Sequence, residues 1–84
     1  MYNVEYSRKA QKFIESQSQK AALKIIERVE ALATAPYADN SNVKKLKGRD
    51  GYRLRIGNVR VIYDMIDDQL LIRVIDAGFR GSIY

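Results

Sequence analysis

The 84-residue sequence has no cysteine, no histidine and a single proline. Without cysteine there is neither a disulfide framework nor a thiolate metal site, so stability has to come from packing, and a reducing cytoplasm is the compartment that suits such a chain. Without histidine the usual general base near neutral pH is missing. A metal site would then need clustered carboxylates, and Asp64, Asp67, Asp68 and Asp76 read better as turn and strand-edge residues; no metal or other cofactor is expected. Although 46% of the residues are hydrophobic, no stretch approaches the roughly 20 consecutive apolar residues of a membrane span, and no membrane partner is expected. Glu5, Arg8 and Lys9 follow Met1 at once, in place of the basic start, apolar run and small-residue cleavage site of an export signal.

What remains is a short, basic chain. Its length suits one domain over residues 1–84, with one core. The net charge is +5, unevenly placed: Lys44, Lys45, Lys47, Arg49, Arg53, Arg55 and Arg60 crowd one segment against the single acid Asp50. Such a segment attracts polyanions. A basic stretch alone is equally a solvated surface, so the decision rests on how strand geometry arranges it.

Residues 2–6 alternate Tyr2, Val4 and Tyr6 with Asn3 and Glu5, the period of a half-buried strand. Ser7 suits the N-cap of a helix whose Ala10, Phe13 and Ile14 share a face and which fades near residues 16–18. A second helix follows, with an apolar stripe of Ala22, Ile25, Ile26, Val29, Leu32 and Ala33, and it closes before Pro36. After a polar loop over residues 37–42, the alternation of Tyr52, Leu54 and Ile56 predicts a strand at 52–56. Gly57-Asn58 predicts a tight connection to a strand at 59–66, and Asp67-Asp68 the next turn. The apolar run 70–75 reads as a central strand covered on both faces, broken by Ala77-Gly78 and followed by a tail over 79–84. The order strand, helix, helix, strand, strand, strand predicts an α+β domain with two N-terminal helices packed on a four-stranded, mainly antiparallel sheet. There is no internal repeat.

Residues two apart on a strand share a face, so Arg53 and Arg55 project together, away from Tyr52, Leu54 and Ile56. In a hairpin turning at Gly57-Asn58, Arg60 joins them if the register allows. Like charges side by side across strands are destabilising, and an anionic ligand accounts for the absence of an interleaved acid. The planar guanidinium fork binds phosphate oxygens in pairs and stays charged, and preorganised arginines suit the extra negative charge of a phosphodiester transition state. A partner protein's carboxylates would meet the same three residues. Near the end of the chain, Arg80 and Tyr84 are four apart. A terminal aromatic is either a core plug or a surface on which a nucleobase stacks.

The stretch 43–48, VKKLKG, the stretch 51–63, GYRLRIGNVRVIY, and the stretch 77–84, AGFRGSIY, together resemble the hallmark segments of the RelE/ParE superfamily of toxins, and the resemblance covers nearly the whole chain. It implies a microbial-RNase-like fold and, in the RelE branch, ribosome-dependent cleavage of messenger RNA by attack of the 2′-hydroxyl on the adjacent phosphate. By position it assigns Arg60 and Arg80 to the scissile phosphate, Arg53 and Arg55 to phosphate charge and substrate positioning, and Tyr84 to base stacking or proton transfer. The lysines at 44, 45 and 47, with Arg49, would then hold ribosomal RNA. It implies a cognate antitoxin covering the arginines in a hetero-oligomer, with operator DNA met only through that antitoxin. Many relatives carry lysine at the positions of Arg53 or Arg55, and several carry histidine at that of Phe79. A guanidinium is a poor general base, so the proton acceptor is unassigned apart from Tyr84. Two other readings stay open: the ParE branch, whose members poison DNA gyrase, and an inactive toxin fold that only binds its antitoxin.

Overall fold

The first strand, β1 (Asn3–Tyr6), turns directly into helix α1 (Arg8–Glu15) in this computed structural model, which describes residues 1–81. Ser7 makes that turn. Its backbone is extended, its Oγ accepts the Ala10 amide at 3.0 Å, and its hydroxyl donates to the Ile75 carbonyl at 2.6 Å, so one side chain caps the helix and fastens it to the sheet. Ser18 repeats the device by accepting the Ala21 amide at the start of α2 (Gln19–Thr34). That helix stops one residue before Ala35, which the following Pro36 drives out of helical geometry, to φ −142°.

Three more strands were expected and four are present among the described residues: β2 (Val43–Lys45), β3 (Tyr52–Ile56), β4 (Val59–Ile66) and β5 (Leu71–Phe79). The α+β class and the helix pair stand; the sheet has five strands rather than four, in the order β1-β5-β4-β3-β2. The additional strand β2 is three residues long and two of them are lysines. It is extended because its partner β3 holds it there, through Val43↔Leu54, Lys44↔Arg53 and Lys45↔Tyr52. All pairings are antiparallel except β1 with β5, where Asn3 through Tyr6 lie parallel to Leu71 through Val74.

Both helices lie on one face. Ala10 and Ile14 of α1 and Ile25, Val29, Leu32 and Ala33 of α2 pack against Leu54, Ile56, Val61, Tyr63, Ile72, Val74 and Ala77, all buried. Each fully buried Ile or Val contributes roughly 1.5–3 kcal/mol, so this layer supplies most of the folding drive. Tyr52 and Tyr63 stack within it at 5.5 Å between centroids, and burial pushes the Tyr63 hydroxyl up to about 12.

Two expectations about the last strand need correction. It is not covered on both faces: Arg73 is exposed, because the two helices share one side of the sheet and the other side carries no layer among the described residues. Nor do Ala77 and Gly78 break it. A register shift at Ile62/Tyr63 places an extra β5 residue between the pairs Tyr63↔Val74 and Ile62↔Asp76, after which pairing resumes as far as Val59↔Phe79. Asp76 is therefore an interior residue of β5 and Asp64 an interior residue of β4, neither a turn residue. Asp67 and Asp68 do make the predicted turn, in a short 3₁₀ segment (Asp67–Gln69) that ends on Leu70 in left-handed backbone at φ 49°.

Candidate nucleic-acid interface

The open face of the sheet collects the residues that β3 and β4 turn away from the helices. Gly57 has φ +60° and opens a two-residue hairpin in the primed geometry that matches strand twist. That hairpin fixes the register left undetermined by sequence: Arg55 stands directly opposite Arg60, and Arg53 opposite Ile62. Leu54, Ile56 and Val61 point into the helix-side core, so Arg53, Arg55 and Arg60 all project from the other side.

Arg60 donates from Nη1 to the Gly57 carbonyl at 3.5 Å, which holds it toward the hairpin. Arg80 follows β5 directly, and its amide donates to the Asn58 carbonyl at 2.7 Å, tying the tail arginine to the same hairpin. Gly78, near the end of β5, pairs with Arg60, which sets residue 80 next to the hairpin. Arg55 and Arg60 thus stand together at one end of the open face, with the Arg80 backbone fastened beside their hairpin. Among the described residues the ion pairs are Lys9 with Asp76 and Arg73 with Glu5; no described carboxylate pairs with Arg53, Arg55 or Arg80.

Lysines surround a neighbouring concavity of about 620 Å³, lined by Lys44, Lys45, Leu46, Lys47 and Arg53. Arg53 belongs as much to this group as to the hairpin arginines, because Lys44 is its partner across β2 and β3. Its Nε is shielded from solvent and has no hydrogen-bond partner. A desolvated guanidinium nitrogen without a partner is unfavourable, and an anion on the outer nitrogens would offset it. Arg49 is exposed in the connection 46–51 and does not line the concavity. Tyr84, the remaining predicted site residue, lies outside the described residues.

Sequence reasoning missed two features of this face. Leu46 and Ile62 are buried together in a small cluster of their own, separate from the main core. The three consecutive apolar residues Val61, Ile62 and Tyr63 signal it, since alternation must send the middle one to the charged side. The other is the Lys9–Asp76 ion pair, Nζ to Oδ2 3.2 Å, which brings the first turn of α1 to the edge of the basic surface. Nothing local in the chain announces a contact between residues so far apart. Gly51 shapes the loop beneath: it has φ +116°, and a Cβ there would stand 2.9 Å from Asp64 Oδ1 and 3.2 Å from the Tyr63 carbonyl oxygen. Among the described residues no group of three Asp or Glu side chains is placed to hold a metal ion, and no helix is long and apolar enough to cross a membrane.

The arrangement is a cationic platform with a three-arginine end, suited to phosphodiester oxygens and to charge that builds on them. A family model described as the ParE toxin of the type II toxin-antitoxin system parDE matches residues 4–83. No curated protein sequence matches the chain. Among solved structures, the archaeal RelE-RelB complex from Pyrococcus horikoshii contains a chain that superposes with a TM-score of 0.82 at 27% identity, over 96% of this chain and 97% of that one. A chain of the intact Escherichia coli RelBE toxin-antitoxin complex gives 0.79 at 20% identity, over 96% and 99%. One from the RelBE2 toxin-antitoxin complex of Mycobacterium tuberculosis gives 0.77 at 18%, over 94% and 98%.

Proposed function

The chain belongs to the ParE toxin family of type II toxin-antitoxin systems, and from that premise we propose that it acts as a ribosome-dependent messenger-RNA endonuclease. The observation that carries the reading is the direct pairing of Arg55 with Arg60 across the hairpin, with Arg80 tied to the same turn. Two like charges in register are unfavourable for the fold, and a phosphate between them reverses the sign. In this reading the messenger's 2′-hydroxyl attacks the adjacent phosphorus. Arg60 and Arg80 hold the scissile phosphate and stabilise the charge that grows on its oxygens. Arg55 and Arg53 carry the neighbouring phosphate charge and position the strand, and Tyr84 stacks on a base or moves a proton.

Lys44, Lys45 and Lys47, around their own concavity, and Arg49 beside them, contact ribosomal RNA. The ribosome contributes the geometry of the messenger, so activity on free RNA is low. A cognate antitoxin with an acidic segment covers the open face when the toxin is held inactive; that a cognate antitoxin exists is supported by the structural neighbours' being chains of toxin-antitoxin complexes. The setting is cytoplasmic.

A second reading, inhibition of DNA gyrase, follows from the resemblance to the ParE branch, whose name the matching family model carries. Induction of the wild-type chain and of Arg60→Ala in bacteria, with mapping of messenger 5′ ends and growth, separates the two. The endonuclease reading expects growth arrest with new cuts inside translated frames, and a loss of about 10²–10³-fold in cutting for the variant, the usual effect of removing one oxyanion-stabilising donor. Growth arrest without cuts, together with failed supercoiling by purified gyrase, would give the answer to the second reading.

A further inference from the structure

Two carboxylates of the described structure lie near the strand arginines, Asp64 diagonal to Arg53 and opposite Arg73, and Asp76 on the side of Arg60. The register shift in β5 puts Asp76 opposite Ile62, while Gly78, two residues on, stands opposite Arg60. Asp76 and Arg60 are thus diagonal neighbours across the ladder, a separation of about 7–8 Å between Cα atoms that long side chains span. Ala77 points into the helix-side core, which directs Asp76 to the arginine face. Its side chain is only 18% exposed. Two contacts hold it: Oδ1 accepts the Ala77 amide at 2.8 Å, and Oδ2 meets Lys9 Nζ at 3.2 Å.

That placement beside Arg60, with a side chain largely shielded from solvent, is notable in a histidine-free chain, which has few groups able to take a proton. Taking the endonuclease reading as given, we infer that Asp76 is the general base that accepts the proton of the attacking 2′-hydroxyl. The 2′-hydroxyl proton passes to the Asp76 carboxylate as the bond between the 2′-oxygen and phosphorus forms. The bond from phosphorus to the 5′-oxygen breaks, its electron pair leaves with that oxygen, and the oxygen takes a proton from water. The hydroxide so produced reclaims the proton from Asp76. The products are a 2′,3′-cyclic phosphate and a 5′-hydroxyl end.

The charged groups around Asp76 fix where its carboxylate points. Lys9 faces it from α1, Arg60 and Asp64 from β4, and Arg53 from β3 beyond Ile62. Arg73 and Arg80 belong to its own strand and the residue after it, and Glu5 of β1 is occupied by Arg73 at 3.7 Å. Lys9 is the positioning residue of the pair, acting through Asp76.

The test is single-turnover cleavage by the full-length chain on ribosomes programmed with a messenger, over the pH range in which those ribosomes stay intact. Asp76→Asn keeps the size of the side chain and an oxygen for the Ala77 amide. The expected result is a 10²–10⁴-fold slower cleavage at unchanged half-saturating ribosome concentration, with the acid limb of the wild-type pH–rate profile abolished and part of the rate restored by Asp76→Glu. A thermal melt of Asp76→Asn close to wild type shows that the fold is intact. Wild-type rates in Asp76→Asn would overturn the inference alone. So would a slowed variant that retains the acid limb, or a Lys9→Met variant slowed as much as Asp76→Asn, since either result makes the carboxylate a structural partner of Lys9. A wild-type chain that makes no cuts at all removes the endonuclease reading, and this inference with it.

Discussion

The two faces of the sheet are made by the same strands and obey opposite rules. On the helix side every strand residue is apolar, each finds a close-packed partner, and the reward is burial. On the open side Arg53, Arg55 and Arg60 stand beside one another with only the Leu46–Ile62 island beneath them. One face is optimised for the chain itself, and the other sets like charges in register, as the proposed binding of phosphates would use. Stability and function are thereby separated by the thickness of one sheet, and single substitutions can address them independently.

The largest effect is expected on the apolar side. Ile72 is fully buried beneath the helices, and Ile72→Ala removes its burial and leaves a cavity, for a loss of about 3–4 kcal/mol in urea denaturation with the arginine constellation untouched. On the open side the sign reverses. Arg55→Gln relieves the like-charge pair with Arg60 and is expected to raise stability by about 0.5 kcal/mol at low salt, the gain shrinking as salt is added, while cleavage falls. An Arg55→Gln protein less stable than wild type would mean that the open face contributes to the fold and would erase the contrast.

A smaller effect is expected at the far end of the molecule, where Asp67 Oδ1 accepts hydrogen bonds from Tyr37 at 2.6 Å and Tyr2 at 2.8 Å. These bonds, that from Tyr37 foremost, lower the Asp67 carboxyl below its ordinary value of 3.8, and Asp67 in turn raises both tyrosines. A carboxyl lowered in the folded state stabilises it above the unfolded carboxyl's titration, and that contribution disappears as pH falls through the folded value. Tyr37→Phe removes the larger cause, so the Asp67 titration followed by carboxyl-carbon NMR should move back up toward 3.8. All three groups are exposed, so the melting temperature at neutral pH should barely change.

Much of this organisation is legible in the residue order. The serine cap, the stripe Ile25, Val29, Leu32 and Ala33, and the alternations at 52–56 and 59–66 each report a local rule, and the helices and hairpin follow from them. The arginine face follows too, because alternation is a property of the strand alone. What could not be read depends on partners distant in the chain. Lys44 and Lys45 have no strand preference of their own and become strand by pairing with β3. The continuation of β5 through Ala77 and Gly78 rests on the register shift against β4, and Asp76 looked like a turn residue until that shift placed it.

The parallel pairing of β1 with β5 also bears on when the protein can exist. The partner of Asn3 is Leu71 and that of Tyr6 is Val74, so the first strand to be synthesised is completed by the last. Contacts of such wide sequence separation form late and slow folding. A nascent chain that has not yet delivered β5 lacks the central strand against which β1 and β4 align, and it also lacks Asn58's partner Arg80. The arginine end is therefore assembled only once β5 and Arg80 have joined the fold. The basic surface is thus the last part of the fold to be completed, built by strands far apart in the chain.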